Sequence, residues 1–384
     1  MKEQLLITII VCFISFVDFI GGTIYISALP ELSIIFQASS SLIKFSITAY
    51  FFGLVVGTIL SGFLSEAYGR KHVLISFILL GALSGLFCAF SQSISQFLVG
   101  RFLQGMGQAG GPILVMSFVA DHFKGDAYKR MVSLLLVMVS FGPGIAPVIG
   151  SIILHFFDWR AIFYFLSFLD FLSFIFLFFI NIEPVIVRRK VKETLKEYMF
   201  FFRHPLFRYY SLMIGSLYGC LYAFLVLCPF VFRIHYGWKV IDFTWIGLAI
   251  AFSDSLGSYF EKVLTERMSS QNVLFTSLVL TIVFFLALLL IGVPVEGQWV
   301  VAIVTLFMFG NHIFSTCLTS DALKLGAEYS NMASSLISFS KVGVSLIVLV
   351  LIPFIPSTLT MIKLTFFIAL LICTLGYMKI RKSS

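Results

Sequence analysis

Charge is scarce in this chain of 384 residues. Asp, Glu, Lys and Arg make up 11% of it, against 60% hydrophobic residues. A soluble domain carries about 25% charge and about 45–50% apolar residues. That balance excludes a water-soluble enzyme and a disordered tail, neither of which keeps so much apolar surface from water. Cysteine is thin as well. Its six residues (12, 88, 220, 228, 317 and 373) are scattered and none forms C-x-x-C, which excludes a zinc site or a disulfide framework and leaves small apolar fillers. Catalytic motifs are missing too. There is no G-x-x-x-x-G-K-[ST] to cradle ATP, no H-E-x-x-H and no G-x-S-x-G. Gly105-Met-Gly107-Gln-Ala-Gly110 has the spacing of a dinucleotide turn, but it lies inside an apolar run with no strand before it. Ser41-x-x-Lys44 and Ser338-x-x-Lys341 lack the partner motifs that S-x-x-K chemistry needs.

What the sequence has is apolar length. Runs of spanning length fall at 5–28, 43–64, 73–91, 96–120, 131–154, 161–181, 209–231, 243–260, 272–292, 299–319, 333–352 and 361–378. Twelve spans of ~20 residues would take ~240 positions, close to the whole hydrophobic fraction. In hydrocarbon only helices or closed barrels satisfy the backbone, and these continuous runs do not alternate as barrel strands do. The fold expected is an all-α integral membrane protein with twelve transmembrane helices. The first run is too long for a secretion signal and has no A-x-A site.

The formal charge of +8 is a membrane signature here, not one of nucleic acid. With both termini placed in the cytoplasm, nineteen Lys and Arg fall in inner segments and five in outer ones, which sets the orientation. The largest polar stretch, around 182–208, is basic and divides six spans from six. We therefore expect two pseudo-symmetric halves, 1–181 and 209–384, joined by a cytoplasmic linker, the layout of a duplicated transporter. Gly62-x-x-x-Glu66 and Gly257-x-x-x-Glu261 echo each other at the ends of spans two and eight.

Charges inside spans carry the chemistry, because each costs ~2.5–3.5 kcal/mol at mid-membrane on insertion scales. With Lys44 and Lys363, close to run ends, counted among the outer segments, five remain: Asp18, Arg101, Asp170, Asp254 and Lys341. Asp18 shares a helical face with Gly21, Gly22 and Tyr25, and glycines let a neighbouring helix come close. A carboxylate withdrawn from water takes up a proton more readily, which makes Asp18 the first candidate for proton coupling; the competing reading is a structural acid paired with a neighbour. Arg101 lies at a similar depth, within ~10 Å along the axis, and the two are expected to pair in at least one state. Asp254 sits on a face with Gly247, Ala251 and Ser258, and Lys341 on one with Ser334, Ser338 and Ser345. Asp170 has serines three residues away on either side. His312 is the histidine well inside a span.

The loop Gly62-Phe-Leu-Ser-Glu66-Ala-Tyr-Gly69-Arg70-Lys71-His-Val-Leu74 resembles the signature between helices two and three of the major facilitator superfamily. Glu66 stands where that family usually has Asp, and Ala67 where it often has Arg. Arg101-Phe-Leu-Gln104-Gly105-Met-Gly107 is similar to the family's span-four motif, and Gly142-Pro143-Gly144-Ile-Ala146-Pro147-Val-Ile-Gly150 to its span-five antiporter element. Tyr25-x-x-Ala28-Leu29-Pro30, Asp158-Trp159-Arg160 and Tyr222-Ala-Phe224 resemble the Bcr/CflA drug-resistance branch, which often has an Asp where Thr23 stands here.

The resemblance implies a conformational latch at Gly62, Glu66, Gly69, Arg70 and Lys71, docking near Asn331, and a leak-sealing helix at Gly142, Pro143, Pro147 and Gly150. It implies that Arg101 takes part in proton coupling. With Asp18, Asp170 and Asp254 as further coupling candidates, the expected substrate-cavity residues are Tyr25, Phe224, Asn311, His312 and Lys341, with substrate near the midplane. The function expected is proton-driven export of small amphipathic molecules. Export of one dedicated metabolite such as a siderophore is the alternative, then a proton-linked importer; a membrane-embedded enzyme or a receptor is the reading of a different class. No metal or cofactor is expected, the proton gradient being the energy source. The partners expected are a small-molecule substrate, protons and the lipid bilayer, with no nucleic acid, and the chain is expected as a monomer in the bacterial inner membrane.

Overall fold

The computed structural model describes residues 2–179, 204–291, 296–325 and 330–383. All twelve apolar runs coincide with helices. In the first half these are α1 (Lys2–Gly21), α2 (Leu29–Ile35), α3 (Ser40–Tyr68), α4 (Arg70–Ala89), α5 (Ile94–Gln108), α6 (Met116–His122), α7 (Gly125–Phe156) and α8 (Trp159–Phe179). In the second they are α9 (Pro205–Tyr236), α10 (Phe243–Arg267), α11 (Ser270–Leu290), α12 (Gly297–Leu325), α13 (Ser330–Leu351) and α14 (Leu359–Ser383). Among the described residues nine helices are long and apolar enough to cross a bilayer, and Gly144–Phe156 and Phe339–Phe354 form shorter apolar helices.

Local sequence explains the helix ends. Ser39, Ser93 and Ser269 stand just before α3, α5 and α11, and each side chain accepts a hydrogen bond from the backbone N–H three residues on, which satisfies a donor that the first turn leaves free. Gly69 separates α3 from α4 with φ of 83°, a conformation that suits glycine alone without cost. The fourth apolar run is broken. The α-helix α5 stops at Gln108, Gly111–Val115 forms a π-helical turn, and α6 resumes at Met116. Pro112 has no N–H for the ladder, and π-turns are how helices absorb such an interruption.

The chain divides into two compact units, Met1–Val191 and Lys192–Ser384. In the first, α5 packs between α3 and α4, while α8 lies on α4 and α1 lies on α7 and α8. In the second, α12 packs on α10 and α11, while α9 lies on α13 and α14. Spans two to four of one unit thus repeat the neighbours of spans eight to ten in the other. The expected linker, 182–208, falls mainly outside the described residues.

One charge assignment needs correction. Lys44, counted with the outer segments, lies inside α3 and is buried, at 2% exposure. The helix starts at Ser40, before the apolar run does.

Candidate functional site

The first unit holds a buried polar cluster built from α1, α3, α5 and α8. Asp18, Arg101, Gln104, Gln108 and Asp170 are all buried, with Arg101 and Gln104 at 0% exposure. Glycines make their approach possible. A methyl group on Gly111 would stand 1.4 Å from Asp18 Oδ2, and one on Gly21 would stand 2.0 Å from Gln108 Oε1. Gly81 of α4 faces both Asp170 Oδ2 and the Gln108 stem, at 3.2 and 3.8 Å from where its Cβ would lie. Gln108, the last residue of α5 before the π-turn, therefore lies against Gly21 of α1 on one side and shares Gly81 with Asp170 on another.

Tyr50 donates its O–H to Gln108 Oε1 over 2.5 Å. The Gln108 amide faces the Asp170 carboxyl, yet Gln108 Nε2, Asp170 Oδ2 and Asp18 Oδ2 have no hydrogen-bond partner. Asp18 and Asp170 lie within electrostatic reach of each other, and among the described residues no basic side chain forms an ion pair with either.

Arg101 does not reach Asp18 in this structure. Its guanidinium donates to the carbonyls of Gly21 and Gly22 at 3.3 and 3.4 Å and to Gln104 Oε1. It also lies over the rings of Tyr25 and Tyr50, 4.3 and 4.4 Å from their centroids. The physical reason is that α1 ends at Gly21, so the last carbonyls have no helical donor, and a cation at a helix C-terminus also meets the negative end of its dipole. Depth along the membrane allowed the expected pairing; the helix end competes for the same donors.

Tyr25 is fully buried and its hydroxyl contacts Ser46 Oγ at 2.7 Å. It packs on Phe97 and Phe163 and serves Arg101 more than any open space. Two glycines of the expected antiporter helix lie on α1 and the segment just after it: a Cβ on Gly142 would meet Phe19, and one on Gly150 would stand 1.7 Å from the Ile24 carbonyl. Pro147 is buried in the same helix. The side chain of Pro143 lies outside the described residues, as do those of Glu66 and Asn331. In the expected latch, Gly62 has open space around it, and Gly69 caps α3 through its N–H to the Ser65 carbonyl. Arg70 and Lys71 follow at the start of α4.

In the second unit Asp254 and His312 meet. Oδ1 and Nδ1 are 3.2 Å apart, and His312 Nε2 lies 2.8 Å from Ser258 Oγ. Lys341 is partly buried with its Nζ over the Tyr218 ring, 4.9 Å from the centroid. Asn311 is buried and its Oδ1 has no partner. Phe224 is fully enclosed against Phe366, a core position. Gln104, Gln108 and Tyr50 are site residues that sequence reasoning missed. The signal was present in the glutamines, uncharged but polar in an apolar run.

A bundle of apolar helices with buried acids in its interior defines a polytopic membrane protein, and similarity places it more narrowly. A profile of the Major Facilitator Superfamily matches residues 11–348. The chain belongs to that superfamily of transporters. An uncharacterized MFS-type transporter, YdgK of Bacillus subtilis, is 27% identical over 318 residues, covering 80% of this chain and 78% of that one. A bicyclomycin resistance protein homolog of Haemophilus influenzae is 24% identical over 332 residues, 85% and 83%. The multidrug resistance protein MdtL of Salmonella paratyphi C is 29% identical over 147 residues, 38% and 37%. Among solved structures a D-xylose-proton symporter aligns at TM-score 0.80 with 14% identity over 97% of this chain and 96% of that one, which shows the shared fold.

Proposed function

We propose that the chain exports small amphipathic molecules across the bacterial inner membrane in exchange for protons. The observation that carries this reading is the pair Asp18 and Asp170, buried together around Gln108 with unpartnered oxygens and no basic counter-ion among the described residues. Two acids in an apolar shell with no basic counter-ion are the groups best placed to carry the exchanged protons. If the two states of the transporter differ in proton affinity, proton binding shifts the equilibrium between them. Arg101 holds the end of α1 three residues from Asp18 and so couples the helix of Asp18 to α5. The resistance proteins among the relatives support export of varied molecules as the direction of transport. The excess of Lys and Arg in the inner segments supports cytoplasmic termini.

Reconstitution into proteoliposomes with a lumenal pH dye tests the reading, using ethidium, a macrolide and a siderophore as probes. Proton movement opposite in sense to the probe supports export by exchange. Movement in the same sense, or none with any probe, overturns it.

A further inference from the structure

The second unit contains a line of proton-exchanging groups that the first unit's acids do not use. Asp254, Ser258 and Glu261 stand at i, i+4 and i+7 on α10, hence on one face, over ~10 Å of helix. His312 of α12 bridges two of them, with Nδ1 3.2 Å from Asp254 Oδ1 and Nε2 2.8 Å from Ser258 Oγ. The packing holds the ring there: a Cβ on Gly257 would come 3.1 Å from His312 Cβ and Cδ2, so glycine lets the side chain come close to α10. Its side chain is 12% exposed and that of Asp254 9%. Further along the same face Glu261 lies within electrostatic reach of His312, Asp321 and Lys324.

We infer that Asp254, His312, Ser258 and Glu261 form a proton relay running from the interior of the second unit toward the basic end of α10. This inference rests on the proton-driven reading above and deepens it by giving the second unit proton-carrying groups of its own. The step balances as follows in one direction. A protonated Asp254 gives its proton to Nδ1; the imidazolium gives the Nε2 proton to Ser258 Oγ; and the hydroxyl passes its own proton toward Glu261. One proton leaves Asp254 and one arrives at Glu261, while His312 and Ser258 keep their proton counts, the ring being left as the Nδ1–H tautomer until it reorients. Imidazole suits the middle position because either nitrogen accepts or donates.

The charged and titratable groups facing the relay are few. On α10 they are Asp254 and Glu261 themselves. Tyr218 of α9 lies within electrostatic reach of Asp254 and carries Lys341 of α13 over its ring. On α12 Asp321 accepts from Ser270 and pairs with Lys324 at 2.8 Å. Glu261, partly exposed, therefore ends the line near the Asp321–Lys324 pair, where a proton can pass to water.

The experiment has two arms on the full chain. In the first, protein with 15N-labelled histidine in nanodiscs is followed by NMR as solvent proton exchange at His312. Expected is rapid exchange in the wild type, slowed at least fivefold in Ser258→Ala and in Glu261→Gln and restored in Ser258→Thr, which keeps the hydroxyl. In the second arm, ethidium movement in proteoliposomes is measured with and without a pH gradient. Gradient-driven movement falls in Ser258→Ala while exchange without a gradient persists. Exchange at His312 that is equal in all four proteins overturns the relay and reduces the triad to a structural contact. A wild type with no gradient-driven movement of any probe sinks the export reading, while the imidazole arm still decides the relay.

Discussion

Arg101 donates from both terminal guanidinium nitrogens to the carbonyl of Gly21, at 3.3 Å each. That places a fully buried arginine at the end of α1, three residues from Asp18 and not on it. The acids keep no basic partner among the described residues, and the arginine's charge is spent on backbone oxygen and on two aromatic faces.

Replacing Arg101 therefore damages the fold before it damages coupling. Arg101→Ala orphans the Gly21 and Gly22 carbonyls and Gln104 Oε1, at ~1–3 kcal/mol for each buried acceptor. Arg101→Lys is expected to fall between the two, because an ammonium cannot match the fork that reaches all three. Thermal unfolding in detergent should rank wild type above Lys above Ala; equal midpoints for all three would remove the helix-capping role.

Glycine substitutions separate the site from the surface. In Gly111→Ala the new methyl would stand 1.4 Å from Asp18 Oδ2, so Asp18 must move and gradient-driven transport should fall to the level of Asp18→Asn. Gly62→Ala meets open space and gains helix propensity of ~1 kcal/mol, so its melting point should hold or rise. Parallel melting and transport assays check both.

Tyr50→Phe keeps the ring under Arg101 and removes the donor to Gln108 Oε1. Stability should drop by ~0.5–1.5 kcal/mol. The freed amide can then rotate toward either acid, which should alter the pH profile of transport. A profile identical to the wild type would show that Gln108 does not read the charge of the acids.

All six cysteines are buried and free. A membrane-impermeant maleimide should label none of them in the native protein and all six after unfolding, as mass spectrometry would record. Rapid native labelling of Cys12 or Cys88 would mean that water reaches the core of the first unit.

The helices were legible because hydrocarbon demands a continuous apolar run wherever backbone crosses it, and every such run proved helical. The interior acids were legible for the same reason, since a charge in such a run stands out. Partners across helices were not. Nothing in the spacing around Asp18 says that Gln108 will lie against Gly21, because that depends on how α5 packs on α1. Arg101 was expected from depth to pair with Asp18 in at least one state; in this structure the end of α1 holds it. Tyr25 was expected among the cavity residues; in this structure it is buried under Arg101. Lys44 shows the limit of counting loop charges, as a lysine at the end of an apolar run can be buried within its helix. His312 was read as an interior histidine and a candidate for the cavity; its ring lies against Asp254 and Ser258.

The most direct test is proton counting with and without the α1 carboxylate. In pyranine-loaded proteoliposomes, adding ethidium to the wild type should drive protons in the opposite sense, and Asp18→Asn should reduce that flux roughly 5–150-fold, the usual size of coupling between two ligands, while ethidium exchange without a gradient continues. An Asp18→Asn protein that moves as many protons per ethidium as the wild type would contradict the account.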